Sequence, residues 1–137
     1  MAATLRLEIV TPEHRAYSDD VELVVLPAIE GEMGVYPQHI PLITALKPGE
    51  LVVTKSGKQI HLATGEGFVE ITGDKVSVLV DMALQESEID ESAAEAAVKR
   101  AEARLKEEHL GDEESAMVQA SLLKSLAQLN VKRRRHV

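Results

Sequence analysis

The sequence of 137 residues predicts a β + α architecture. An N-terminal β-sandwich of about 8–10 short antiparallel strands over residues 1–84 is followed by a C-terminal antiparallel two-helix hairpin over residues 85–137. Three observations carry this reading. Apolar and polar residues alternate with period two in the first half, the mark of half-buried strands. Turn signals separate β-branched runs at the spacing expected of a sandwich or barrel. After Asp81 the composition shifts to Ala, Glu, Leu, Lys and Arg, with one glycine, Gly111, and no proline from residue 85 onward.

Taken in order, Leu5-Arg6-Leu7-Glu8-Ile9 alternates cleanly and opens the sandwich. Val21-Glu22-Leu23-Val24-Val25-Leu26 is β-branched and is expected to end at Pro27, which lacks a ladder donor. Leu51-Val52-Val53-Thr54 and Gln59-Ile60-His61-Leu62-Ala63-Thr64 flank Lys55-Ser56-Gly57-Lys58, a hairpin signal. Phe68-Val69-Glu70-Ile71-Thr72 and Lys75-Val76-Ser77-Val78-Leu79-Val80 flank Gly73-Asp74 in the same way. In the second half Asp90 is the expected N-cap of the first helix, with Glu91 and Glu95 near the positive end of its dipole. Its expected apolar stripe is Ile89, Ala93, Ala97, Ala101 and Leu105, widened by Ala94, Ala96 and Val98. Gly111 stops that helix, and Asp112 is expected to cap a second one running to about Val131. Ala116, Ala120, Leu123, Ala127 and Val131 should share one of its faces. The short connection folds the helices back on each other.

Alanine seams bury little area. Each buried methyl is worth about 0.8 kcal/mol, against about 1.5–3 kcal/mol for a full Leu side chain. Alanine is also the strongest intrinsic helix former. Two readings stay open on pattern alone: a permanently docked appendage, or an element that can leave its partner while remaining helical.

Composition excludes several functions. The net charge of −8 argues against broad polyanion binding, and one Phe, two Tyr and no Trp leave no aromatic platform for nucleic acid. With no cysteine, disulfides, thiolate chemistry and Cys-based zinc sites are out. No apolar run reaches the length of a membrane span, and the N-terminus shows no basic region followed by an apolar block, so no secretory signal is expected and any membrane association should come through a partner. His14, His39, His61, His109 and His136 are scattered without the spacing of a helical metal pair. No G-x-S-x-G occurs, and Gly65-Glu66-Gly67 reads as a strand turn, not a phosphate loop. No catalytic residue, cofactor or metal site is expected, and the chain is not expected to be an enzyme. Residues 85–137 are close to charge balance because Lys132-Arg133-Arg134-Arg135 concentrates four cations at the tail of an acidic protein.

The segment G-E-M-G-V-Y-P-Q-H-I-P-L-I-T-A-L-K-P-G, Gly31 to Gly49, reads as a stiff, polar-tipped loop. Its glycines supply backbone freedom, while Pro37, Pro41 and Pro48 remove donors and fix φ. A lone His39 in such a setting is a structural hydrogen-bonder or a contact for another protein.

This segment resembles the G-E-x-G-x-x-x-x-H-x-P-x-x-T-x-[LI]-x-x-G signature of the ε-subunit family of the F-type ATP synthase, supported by Ile89-Asp90-Glu91 and the ending Ala127-Gln128-Leu129-Asn130-Val131. The resemblance covers essentially the whole chain. It implies a non-catalytic central-stalk subunit of a proton-translocating machine. Such a subunit couples c-ring rotation to the catalytic head and inhibits ATP hydrolysis through its C-terminal helices. It further implies a peripheral position on the cytoplasmic face of the inner membrane. The implied partners are the γ subunit, the polar loops of the c-ring, and the catalytic α/β subunits. Glu32 and His39 match positions facing the ring and γ, and Lys132, Arg133, Arg134 and Arg135 lie where cations would meet acidic loops of the catalytic β subunits. An alternative is an ATP-sensing module acting through closure of the hairpin. Asp90 and Arg100 match that nucleotide motif, but Ala93 stands where it carries arginine, and Lys124 and Gln128 stand where relatives carry arginines. The resemblance therefore implies weak or no ATP binding.

Overall fold

A computed structural model describes residues 3–107 and 110–134 of the chain. Ten strands come first: β1 (Leu5–Val10), β2 (Arg15–Val21), β3 (Leu23–Ala28), β4 (Gly31–Val35), β5 (Leu42–Leu46), β6 (Gly49–Lys55), β7 (Lys58–Thr64), β8 (Gly67–Thr72), β9 (Lys75–Val80) and β10 (Ala83–Gln85). A 3-10 turn at Glu86–Glu88 leads into α1 (Glu91–Leu105) and α2 (Asp112–Arg134). The last strand thus runs one residue past the expected boundary.

The strands form one folded path, β10-β7-β6-β3-β5-β8-β9-β1-β2, with β4 paired to β3. The path bends where β3 and β5 share a single pair, Ala28 with Leu46, and this splits it into the two layers of a sandwich. Leu5, Leu7 and Ile9 point inward from alternate positions of β1 and are fully buried, which fixes its register. They meet Leu26, Leu51, Val53, Leu62, Val69 and Ile71 in an aliphatic core. Edge strand β2 is tied across the gap to β6 by an ion pair between Asp19 and Lys55. That hydrogen bond from Lys55 holds the Asp19 carboxyl below its usual range and raises the Lys55 ammonium.

The structure corrects several expectations. Pairing is antiparallel except between β1 and β9, which run parallel. No tight turn joins these two strands, and the intervening strands supply the long crossover that parallel pairing requires. Strand β3 continues through Pro27 to Ala28, and the Pro27 carbonyl still accepts from the Lys47 N–H at 3.0 Å. The segment Gly31 to Gly49 is not one loop: it contains β4, β5 and the first residue of β6, joined by connections at 36–41 and 47–48. Between β6 and β7, Ser56 and Gly57 take φ of +52° and +76°, the left-handed pair that a tight two-residue hairpin demands.

Asp90 caps α1, its carboxylate accepting from the Ala93 N–H at 3.0 Å. The buried stripe of α1 is Ala94, Val98 and Ala101, while Ala93 and Ala96 are exposed. In an alanine-rich helix apolar residues occupy several faces, so the partner, not the pattern, sets the rotation. Asp112 is the first residue of α2, not its cap; the Gly111 carbonyl already accepts from the Ser115 N–H at 2.8 Å. Ala116 and Leu123 are exposed, and only the Ala127–Val131 end of the expected α2 stripe is buried.

Candidate interaction sites

The helices pack through two apolar clusters that are separate from the sandwich core. Ala94 and Val98 of α1 meet Leu129 and Leu122 of α2 and form the hairpin's own core. Ala127 and Val131 of α2 meet Ala63 of β7 and Ile89, flanked by Met82 and Leu84, and form a seam with the sandwich. Successive helical residues turn by about 100°, so α2 serves both partners: one face looks at α1 and another at the sheet.

Ion pairs frame this seam. Lys124 Nζ lies 2.9 Å from Asp81 Oδ2, and Lys132 Nζ lies 3.3 Å from both the carboxylate and the backbone carbonyl of Glu86. Arg134 donates to Glu50 Oε2 at 2.6 Å, and this contact holds its guanidinium all the more firmly charged. Glu50 also contacts His61 of β7. Arg133 turns the other way, 3.5 Å from Glu91 and 3.1 Å from Glu95 on α1. The tail cations at 132–134 are therefore paired within the chain. Arg135 lies outside the described residues, as do His109 and His136.

Glu32 lies near the start of β4, and His39 lies four residues beyond its end. Glu32 faces Pro27 in the register and lines a groove with Lys47, Glu50 and His61. His39 lies in the 36–41 connection, where its Nδ1 is 2.6 Å from the Ile40 carbonyl. A carbonyl only accepts, so Nδ1 carries the proton and Nε2 is left to a partner. The connection is pinned from beneath: the Asp74 carboxylate accepts from the Gln38 N–H at 2.9 Å, holding Gln38 at φ +66°. Around it Tyr36, Ile40 and Ile43 are exposed.

A further surface was not read from the sequence. Ala45 pairs with Phe68, Phe68 with Leu79, and Leu79 with Val10, so four neighbouring strands present one apolar row on the outer face of the sandwich. Phe68 is 60% and Leu79 52% exposed. The signal was available: in Phe68-Val69-Glu70-Ile71-Thr72 the single phenylalanine occupies the outward, polar register. Asp90 and Arg100 are not brought together as a nucleotide site. The Asp90 carboxylate is engaged in its cap, and the interhelical groove that Arg100 lines with Arg104 and Ser121 does not include it.

Comparison with known proteins decides the lineage. The beta-sandwich domain of the ATP synthase Delta/Epsilon chain matches residues 4–86, and its long alpha-helix domain matches residues 87–133. The chain belongs to the ATP synthase Delta/Epsilon family. Among its relatives, the ATP synthase epsilon chain of Dehalococcoides mccartyi is 42% identical over 136 residues, covering 98% of this chain and 97% of the relative. The epsilon chain of Desulforamulus reducens is 46% identical over 105 residues, 77% of this chain and 80% of its own length. The fold matches a chain of the Euglena gracilis mitochondrial ATP synthase, solved with OSCP, F1 and c-ring, at a TM-score of 0.76 and 22% identity, covering 93% of this chain and 80% of that one. A chain of the Tetrahymena thermophila mitochondrial ATP synthase central stalk and c-ring matches at 0.61 and 9% identity, covering 99% and 98%. As an epsilon-type member of the family, this chain is a subunit of the synthase and not a catalytic one.

Proposed function

We propose that the chain is a central-stalk subunit of the proton-translocating F-type ATP synthase that couples c-ring rotation to the catalytic head and restrains ATP hydrolysis through its helical hairpin. The observation that carries this reading is the separation of clusters: the sandwich core is complete without the helices, which rest on it through a thin, alanine-rich seam. A foot with its own core can stay docked while the hairpin leaves. The apolar row of Phe68 and Leu79 is the face offered to γ, since an exposed cross-strand patch on an acidic domain favours a protein partner. The 36–41 connection, tied at Gln38 to Asp74 and presenting exposed Tyr36 and Ile40 beside the part-exposed His39, is the surface offered to the polar loops of the c-ring. Glu32, near the start of β4 and away from this connection, is assigned with His39 to the c-ring and γ interface, and Lys132 to Arg135 to acidic loops of the catalytic subunits once the hairpin extends. No described helix is long and apolar enough to cross a membrane, so attachment at the cytoplasmic face of the inner membrane runs through these partners.

Removing residues 87–137, which leaves β10 intact, tests the inhibitory half: ATP hydrolysis by the assembled enzyme should rise while assembly persists. Unchanged hydrolysis would refute it. Phe68→Ser in the full chain tests the docking half by loss of γ co-purification.

A further inference from the structure

Adjacent cations of α2 are divided between two partners. Lys132, Arg133 and Arg134 project at about 100° intervals, so they cannot all face one surface. Lys132 and Arg134, with Lys124 two turns earlier, meet carboxylates of the sandwich half: Glu86, Glu50 and Asp81. Arg133 alone meets α1. Lifting the hairpin off the sandwich therefore breaks the first three pairs and leaves the fourth, which breaks only when α2 parts from α1.

We propose that Asp81, Glu86 and Glu50 form an ionic latch, and that the cations of α2 serve either this latch or an acidic surface of another protein, never both at once. The inference rests on the hairpin reading above and deepens it by naming the regulation. Its geometry suits a reversible contact. The pairs are part-exposed, so salt and water compete for them. Glu50 is the most enclosed of the three carboxylates, with a side chain 15% exposed, and His61 stays beside it when Arg134 departs. Release then leaves the Glu50 carboxylate with one hydrogen-bond partner, which lowers the cost of parting from Arg134. Gly65 makes room for the latch: a Cβ there would stand 1.7 Å from Asp81 Oδ1 and 2.9 Å from Lys124 Cε.

The two sides of the latch must behave oppositely. Neutralising the carboxylates frees cations that remain able to bind elsewhere, whereas neutralising the cations removes both contacts. In the full-length chain, Glu50→Gln with Asp81→Asn should make the α2 amides from Lys124 to Arg134 exchange about three- to tenfold faster. Amides of β6 and β7 should be unchanged. Gly65→Ala, which alters no charge, should loosen the same amides and serves as the deciding variant if the double substitution disturbs the sheet. In the assembled enzyme the carboxylate variant should lower ATP hydrolysis and Lys132→Gln with Arg134→Gln should raise it. Unchanged α2 exchange in both carboxylate and glycine variants would overturn the latch, as would hydrolysis moving the same way in both charge variants. Faster α2 exchange with hydrolysis unmoved even by truncation would uphold the latch and refute hairpin inhibition.

Discussion

Val131→Ala probes whether the hairpin and the sandwich are thermodynamically separable. Val131 is 2% exposed and packs on Ala63, Ile89 and Ala127, none of which belongs to the sandwich core cluster. The substitution deletes two methyl groups at about 0.8 kcal/mol each, hence about 1.6 kcal/mol of seam energy, with a further cavity contribution where the seam cannot close. At about 1.4 kcal/mol per factor of ten, docking should weaken about fifteenfold. Alanine is the better helix former, so α2 keeps or gains helical content in circular dichroism as it loosens. Hydrogen exchange resolved by residue is the assay. Amides of Leu122 to Arg134 should lose protection by about that factor, while those of Leu51, Val53 and Leu62 in the sandwich hold theirs. Equal loss in both regions would show one cooperative unit and refute a detachable hairpin. No loss anywhere would show that the seam contributes nothing to docking.

Two further outcomes follow from other contacts. Asp74→Ala removes the acceptor that pins Gln38 in its left-handed conformation, a net loss of about 0.5–1.5 kcal/mol. Amides of the 36–41 connection should exchange severalfold faster and binding to the c-ring should weaken, with the sandwich melting temperature falling by a few degrees; undiminished protection there would refute the pinning role. The Asp19–Lys55 pair across the open edge predicts an acid dependence. Because the folded Asp19 carboxyl titrates below its unfolded value, its contribution is present above that unfolded value and disappears as pH falls through the folded one. Asp19→Asn should therefore flatten the loss of denaturant stability between neutral pH and the carboxylate range, and an unaltered slope would remove the pair from the account.

Much of the architecture was legible in the chain because it rests on local chemistry. Period-two alternation in Leu5 to Ile9, the Ser56-Gly57 turn and the Asp90 cap are decided by residues within a few positions of one another. The same holds for the family signature between Gly31 and Gly49, although its glycines and prolines hid β4 and β5, whose ladders come from distant strands. The alanine helices misled for a different reason. With small apolar residues on several faces, many rotations bury similar area, and Ala94 with Val98 won over Ala93 with Ala97 only because of where α2 lies.

The strand-rich first half, six of its strands and the helical hairpin that follows were read from composition, periodicity and turn chemistry alone. Only the tertiary structure decided that β1 runs parallel to β9, that Phe68 and Leu79 join into one row, and that the tail cations lie against Glu50, Glu86 and Asp81. The physical reason is range. Backbone preferences act over a few residues, whereas these pairings join groups as many as 84 positions apart, and their partners are chosen by the packing of the whole chain.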